Sequence, residues 1–365
     1  MVDGTSRKTN EKNGRSSTLR QMKQEYAELL PKAFKRFSMK SALRTGLPTL
    51  GFYLRKRSLP ASEKPALFTM NILPPMMTVW YHIVRKHLGD AVDITIFDCS
   101  GKLKASEFPQ ARVQKFLNLY ASTKSDIFLR DIAKHRKIGW ICDDDMFPVS
   151  SEMTEVLRRE FADENTAAVS FRPRDWWHFE IDGKSYEPMS SYCTAFNRHI
   201  LVDTEHLSLG PANGNMHPSH IGKSPGRYDT CDKANEILIQ KGYRCFIVPE
   251  QERNTYLTGF SGVSGAVMLL YHFKNPEEVL RYYEEPPEDQ WSGNMLFGTL
   301  AAMLAICVVQ ELYTELKGMP YPLRALPERS VLEALLDSRR KYLRQDQHEH
   351  EAMIRTSEAR LKAAL

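Results

Sequence analysis

Between residues 64 and 272 the apolar positions fall in short runs separated by stretches of helical spacing. Mostly apolar runs at 66–72, 92–98 and 138–142 read as buried strands, and those at 167–171, 191–196 and 243–248 continue the series. Helical spacing falls at 77–84, 111–120, 126–134, 151–161 and 232–241, and residues 176–184 alternate around Asp182-Gly183 as a hairpin does. Strand and helix in alternation predict an α/β domain with a parallel sheet. A loop rich in Gly, Pro, Asn and His spans 210–226, and a stretch of that kind in a compact domain is often functional. Further on, 291–310 carries no charge. Its run 295–309 is short for a membrane span and is diluted by Gly293, Asn294, Gly298 and Thr299, which predicts a buried helix over a re-entrant or interfacial segment. The charged tail from about 327 to 365 sets Leu332, Leu335, Leu336 and Leu343 at near-helical spacing. It predicts a helix, with these leucines as a candidate contact in a homo-oligomer.

Composition changes the picture at the ends. Residues 1–18 predict a disordered basic tail, 19–63 a basic helical arm, 64–275 the catalytic domain and 276–365 a C-terminal helical region. The net charge of +5 is uneven, because residues 1–60 hold 14 Lys and Arg against 4 Asp and Glu, leaving the body mildly acidic. Phe34, Phe37 and Leu43 interleave with Lys32, Lys35, Arg36, Lys40 and Arg44, so residues 19–57 suit an anionic membrane surface, with packing against the body as the alternative. Nucleic acid is not expected, since the basic stretch has few aromatics to stack on bases and no recognition motif. No apolar core follows the first charges, and the six cysteines are scattered without metal-ligand spacing. The expectation is a cytoplasmic protein with reduced thiols, peripheral at the inner membrane face.

The candidate chemistry centres on Asp143-Asp144-Asp145, which leaves the 138–142 run and is closed by Met146-Phe147-Pro148. Three consecutive carboxylates repel one another, and a hard divalent cation with oxygen ligands relieves the crowding. Alternation along a strand would turn Asp143 and Asp145 toward one cation and Asp144 aside. An acidic turn without a metal is the plain alternative. Asp98 ends the 92–98 run. Ligands of open α/β sheets sit beyond the carboxyl ends of strands, so Asp98 and the triplet point at one crevice. Other candidates have ordinary readings beside the functional ones. Trp176 or Trp177 can stack on a ligand ring or fill the core. His217 and His220 can meet a bound ligand or simply face solvent. Arg227 can meet a phosphate or form a surface ion pair.

The order of a strand ending in Asp98, a strand ending in Asp143-Asp144-Asp145, and Tyr228-Asp229-Thr230-Cys231-Asp232 opening a helix before Lys241-Gly242-Tyr243 resembles the GT-A nucleotide-sugar glycosyltransferases, particularly bacterial family 2-like enzymes. The resemblance covers about residues 64–272. It implies a GT-A (Rossmann-like) mixed, mostly parallel sheet flanked by helices, with helical N- and C-terminal extensions. It implies Mn²⁺ or Mg²⁺ held by Asp143 and Asp145 on a donor diphosphate, with Asp144 beside it and Asp98 at the base or ribose. Asp229 or Asp232 would be the base of an inverting transfer, Asp229 being preferred. The donor would be a UDP- or GDP-sugar, and the acceptor a saccharide or lipid-linked hydroxyl in cell-surface polysaccharide or glycolipid synthesis. Three departures stand against the pattern. No Glu-Asp pair precedes Lys241-Gly242-Tyr243, Cys99-Ser100-Gly101 only partly reproduces the family's segment after the second strand, and residues 254–265 hold no third-ligand histidine, leaving His272 as a late candidate. The alternatives are a sugar-phosphate nucleotidylyltransferase, although no glycine-rich loop follows the first strand, and a non-catalytic binding module on the same fold.

Overall fold

The computed structural model describes residues 39–55, 57–119, 121–174, 178–210, 212–213, 227–260 and 262–365. The polar tail, the first half of the basic arm, Trp176, Trp177, His217 and His220 lie outside the described residues.

In chain order the strands are β1 (Ala66–Asn71), β2 (Asp93–Asp98), β3 (Ala111–Lys115), β4 (Ile138–Cys142), β5 (Met146–Pro148), β6 (Thr166–Ser170), β7 (Phe179–Ile181) and β8 (Lys184–Tyr186). They continue with β9 (Cys193–Asn197), β10 (Ala212–Asn213), β11 (Arg227–Tyr228), β12 (Arg244–Ile247) and β13 (Leu257–Gly259). The helices are α1 (Met39–Arg55), α2 (Pro74–His87), α3 (Ala121–Ile127), α4 (Glu152–Glu160), α5 (Asp232–Gln240) and α6 (Glu250–Tyr256). Then come α7 (Val263–His272), α8 (Pro276–Glu284), α9 (Asn294–Lys317), α10 (Arg329–Arg339) and α11 (Gln345–Ala364).

Seven strands form one sheet in the order β12-β6-β9-β4-β1-β2-β3. Only β9 runs against its neighbours, and all other pairings are parallel. This is the mixed, mostly parallel α/β sheet that the resemblance implies, whereas the strand and helix pattern alone predicts a parallel one, from which β9 departs. Parallel strands are covered on both faces, so they are apolar almost throughout, and alternate residues feed two cores. Leu67, Ile94 and Trp140 meet α2, α4, α7 and α9 on one side. Phe68, Phe97 and Ile141 meet α1, α3 and α5 on the other, with Phe68 stacked on Phe128 at 4.7 Å and Phe97 on Phe116 at 4.4 Å. The Asp182-Gly183 turn joins β7 and β8 with both residues at positive φ, as a two-residue hairpin requires.

Several expectations change. Residues 111–119 are not helical. Ala111–Lys115 is the edge strand β3, paired in parallel with β2, because sheet pairing overrides the helix propensity of Ala, Arg, Gln and Lys. The helix expected at 126–134 starts at Ala121 and ends in a π turn at Phe128–Ile132. The tail is two helices, broken at Arg340–Tyr342. Leu332, Leu335 and Leu336 are buried in this chain's own core, so they offer no contact to a second copy. Among the described residues α9 alone is long and apolar enough to cross a membrane, and 72% of that window is buried inside the protein. It is packed by α2, α7, α10 and α11, in keeping with a buried helix.

Candidate active site

The strand order β3-β2-β1-β4 reverses direction at β1, with β2 and β3 laid to one side and β4 to the other. At such a point the loops leaving the two strands diverge and open a crevice at their carboxyl ends. Asn71 ends β1 there and Asp143 follows β4. Because β9 is antiparallel, its first residue, Cys193, is opposite Cys142, and Tyr192 therefore reaches the same edge.

The triplet is a turn and not a continuation of the strand. Met146 N donates to Asp143 O at 3.0 Å, which puts Asp144 and Asp145 at the turn's centre and ends the alternation expected of them. Four contacts fix the turn. Asp143 N donates to Tyr192 O at 2.8 Å and Phe260 N to Asp145 O at 2.9 Å. Trp80 Nε1 donates to Met146 O at 2.8 Å, and β13 pairs with β5. Gly259 allows that pairing, because a Cβ there would run into Asp145 O and Met146.

The three carboxyls are half-buried, and none forms an ion pair with a described residue. Burial pushes Asp143 up to about 7, against the pull of Lys124. Burial and then the Asp143 charge raise Asp144 well above the carboxylate range, and burial with both neighbours does the same to Asp145. Asp144 Oδ2 is buried without a hydrogen-bond partner. Among the described residues no three His, Cys, Asp or Glu side chains converge to hold a metal unaided, so His272 is not gathered with the triplet. His272 lies against Phe273 at 5.1 Å, while its neighbour Tyr271 donates to Ile72 O at 2.7 Å. A turn of uncompensated carboxyls with an orphan oxygen fits a cation that takes one or two protein carboxylates and completes its shell with phosphate oxygens, the usual habit of Mg²⁺.

Asp98 is fully buried and its carboxylate is already bonded. Oδ1 accepts from Ser100 N at 3.0 Å, Ser100 Oγ at 2.6 Å and Gly101 N at 2.9 Å, and Oδ2 accepts from Leu103 N at 3.0 Å. It shapes the loop at one side of the crevice from a fully buried position. Lys102 of that loop lies over the Tyr271 ring at 5.2 Å.

The other side is built around Arg174, a residue without a counterpart in the sequence reading. It is buried, with Nη1 at 3.1 Å from Asp229 Oδ2, Nε at 3.1 Å from Asp232 Oδ1, and Nη2 donating to Thr230 O at 2.9 Å. Asp232 is fully buried and accepts Asp229 N at 2.9 Å, whereas the Asp229 side chain is 52% exposed. Burial pushes Asp232 up to about 6 against the Arg174 charge. Tyr192, whose backbone O accepts Asp143 N, feels the charges of both sides. Burial raises its hydroxyl, Arg174 opposes, and Asp143, Asp145 and Asp229 all act on it. Arg227 lies in β11, described in its backbone only, opposite Asn213.

Lys124 was also missed. It is 3% exposed, its charge pulls on Asp143 and Asp144, and it donates to Asn118 Oδ1 at 3.2 Å and Cys99 Sγ at 3.5 Å. Nothing in its Ser/Thr-rich segment marks it. Arg174 did carry a signal, as Arg172-Pro173-Arg174 follows the end of a buried strand at the same sheet edge.

No protein-family model matches the chain, and no curated protein does. Among solved structures it is similar to the mannosyltransferase PcManGT from Pyrobaculum calidifontis in complex with GDP-Man and Mn²⁺, at 16% identity and a TM-score of 0.35, covering 92% of this chain and 97% of that one. It is also similar to 4-diphosphocytidyl-2C-methyl-D-erythritol synthase from Anaerococcus prevotii, at 9% identity and a TM-score of 0.32, over 53% of this chain and 96% of that one. The glycosyltransferase GlyE of Streptococcus pneumoniae matches at 9% identity and a TM-score of 0.30, over 53% and 47%. At these values the likenesses carry no weight for the site.

Proposed function

We propose that the protein is a metal-dependent glycosyltransferase that moves a sugar from a UDP- or GDP-sugar to a hydroxyl of a saccharide or lipid-linked acceptor, with inversion. One observation carries the proposal: a half-buried turn of three carboxyls at the carboxyl end of β4 has no ion pair among the described residues, and its charges act on the same Tyr192 as that of the half-exposed Asp229. Asp143 and Asp145 would hold Mn²⁺ or Mg²⁺, with Asp144 beside them. When bound, the metal stabilises negative charge developing on the leaving diphosphate. Arg227, two residues before Asp229, is the candidate for a further phosphate contact. The nucleoside would be received by the backbone of the loop that Asp98 holds, and the Asp98 carboxylate itself would stay inside.

Asp229 is the base in this reading because it alone of the pair is open to an acceptor, its side chain being 52% exposed where that of Asp232 is fully buried. Arg174 fixes one of its oxygens and Thr230 N, at 2.8 Å, the other. A carboxylate oriented in this way accepts the acceptor's proton during attack on the anomeric carbon. Buried Asp232 orients Arg174 and the start of α5. The test is a donor-hydrolysis screen of UDP-, GDP-, dTDP- and CMP-sugars with Mn²⁺ or Mg²⁺. Metal-dependent release of one nucleoside diphosphate, lost in Asp145→Ala, is the expected result. Release of pyrophosphate from a nucleoside triphosphate and a sugar phosphate, with every donor sugar left intact, would replace the transferase by a nucleotidylyltransferase.

A further inference from the structure

Helix α1 lies against the sheet edge by one face only. Phe52 is buried against Phe97 and Phe116 at 6.1 and 5.7 Å, and Leu117 N donates to Thr49 Oγ1 at 2.8 Å. Gln114 Nε2 reaches Pro48 O at 3.5 Å. These contacts set the rotation of the helix. The opposite face carries Leu43, Leu47, Leu50 and Leu54, exposed by 54, 65, 57 and 79%. Their spacing of four, three and four residues places all four within an arc of about 60° at 100° per residue. Four leucines in one solvent-facing stripe are unusual for a surface, where apolar side chains are normally scattered.

The charge around the stripe selects its partner. Residues 29–62 contain eight Lys and Arg and no Asp or Glu. Arg44, Arg55 and Arg57 are exposed beside the leucines, and Lys102 and Lys104 are exposed on the adjoining loop, where Gly101 faces Arg44 and Thr45. A second copy seated two-fold on this face would bring these cations together without one carboxylate. A basic surface with a narrow apolar stripe is instead the pattern of a helix lying in the headgroup region of an anionic bilayer, leucines in the acyl boundary and arginines at the phosphates.

We infer that α1 is a lipid-docking helix for anionic membranes, with the Leu43/Leu47/Leu50/Leu54 stripe as the inserting face. Through Arg44 and Gly101 the docked helix is joined to the loop that Asp98 holds, so the mouth of the crevice would lie next to the lipid surface. The inference goes beyond the transfer reaction, and its test reads binding alone, so either can fail without the other.

The test is co-flotation of the full chain with vesicles of phosphatidylglycerol and phosphatidylcholine, against vesicles of phosphatidylcholine only. Binding to the anionic vesicles, at least tenfold weaker on neutral ones and reduced by 0.5 M salt, is expected. Leu47→Glu with Leu54→Glu, both solvent-facing, should weaken it at least tenfold with an unchanged melting temperature. In Leu50→Trp, fluorescence should shift to the blue on anionic vesicles and be quenched by brominated acyl chains. Unaltered binding in the double variant would overturn the inference, leaving the basic arm as a purely electrostatic tether. So would lipid-independent dimerisation that the double variant abolishes, because the stripe would then belong to a second copy.

Discussion

Two groups of acidic residues share one edge of the sheet and are built on opposite plans. Around Arg174, two carboxylates meet one buried guanidinium, whose Nη1 and Nη2 donate to Asp229 and Thr230 O and whose Nε stands at 3.1 Å from Asp232. In the Asp143–Asp145 turn, three carboxyls crowd together without a cation in contact among the described residues, and burial holds all three above their ordinary range. The first group is compensated and reads as scaffold that aims one carboxylate outward. The second is left uncompensated, which burdens the fold and suits a ligand that brings positive charge. The difference teaches that carboxylate density alone does not mark a cation site. What marks it is density without an internal partner.

The comparison predicts opposite outcomes for mutations on its two sides. Asp145→Ala should lower metal-dependent donor turnover by about 10³-fold or more, since loss of charge stabilisation at a leaving group is worth that much. The same variant should melt higher than the parent in metal-free buffer, because a buried repulsion is gone; a lower melting temperature would show that the turn is compensated after all. Asp229→Asn should cost about 10²- to 10⁴-fold in kcat, read by steady-state kinetics. Its stability should change by under about 1 kcal/mol, as expected of a half-exposed pair. Arg174→Met removes the partner of fully buried Asp232 and should destabilise by about 3–5 kcal/mol, measured by urea unfolding. An Arg174→Met protein as stable as the parent would reduce the scaffold to an ordinary surface contact.

Titration sharpens the contrast further. Asp143 stands at about 7 in the folded protein, against an ordinary 3.8. Between those values the folded state keeps a proton that the unfolded state has lost, so the stabilisation is complete below 3.8 and is lost as pH rises through 7. The melting temperature of the metal-free protein relative to Asp143→Asn should therefore fall across that window. Above it, saturating Mn²⁺ should restore a few degrees, as a ligand bound only to the folded state must. The smallest effect on turnover is expected at Gly259→Ala, where the new methyl displaces Asp145 O and should cost about 1–3 kcal/mol of stability.

Much of this was legible in the sequence, and the exceptions have physical causes. The runs that became β1, β2, β4, β6 and β9 were readable because strands buried on both faces are apolar almost throughout, and the half-buried edge strand β12 because Cys245, Phe246 and Ile247 still form a run. Strand β3 was not, since an edge strand with Arg112, Gln114 and Lys115 has no such run and borrows its order from β2. Asp98 and the triplet were correctly placed at strand ends, because the chain announces where a buried run stops. What each carboxylate touches was hidden. The inward bonding of Asp98 depends on backbone donors of the following loop, and the partnership of Arg174 with Asp229 and Asp232 spans 55 residues or more. Local spacing carries no trace of such contacts.

The most direct measurement is calorimetric titration of Mn²⁺ into the full chain at pH 7.5, alone and with saturating UDP or GDP, beside Asp145→Ala and Asp229→Asn. The account predicts binding that one nucleotide strengthens at least tenfold, that Asp145→Ala abolishes and that Asp229→Asn leaves intact. Equal Mn²⁺ binding in Asp145→Ala, or none at millimolar metal with either nucleotide, would contradict the assignment of the acidic turn as the metal and diphosphate site.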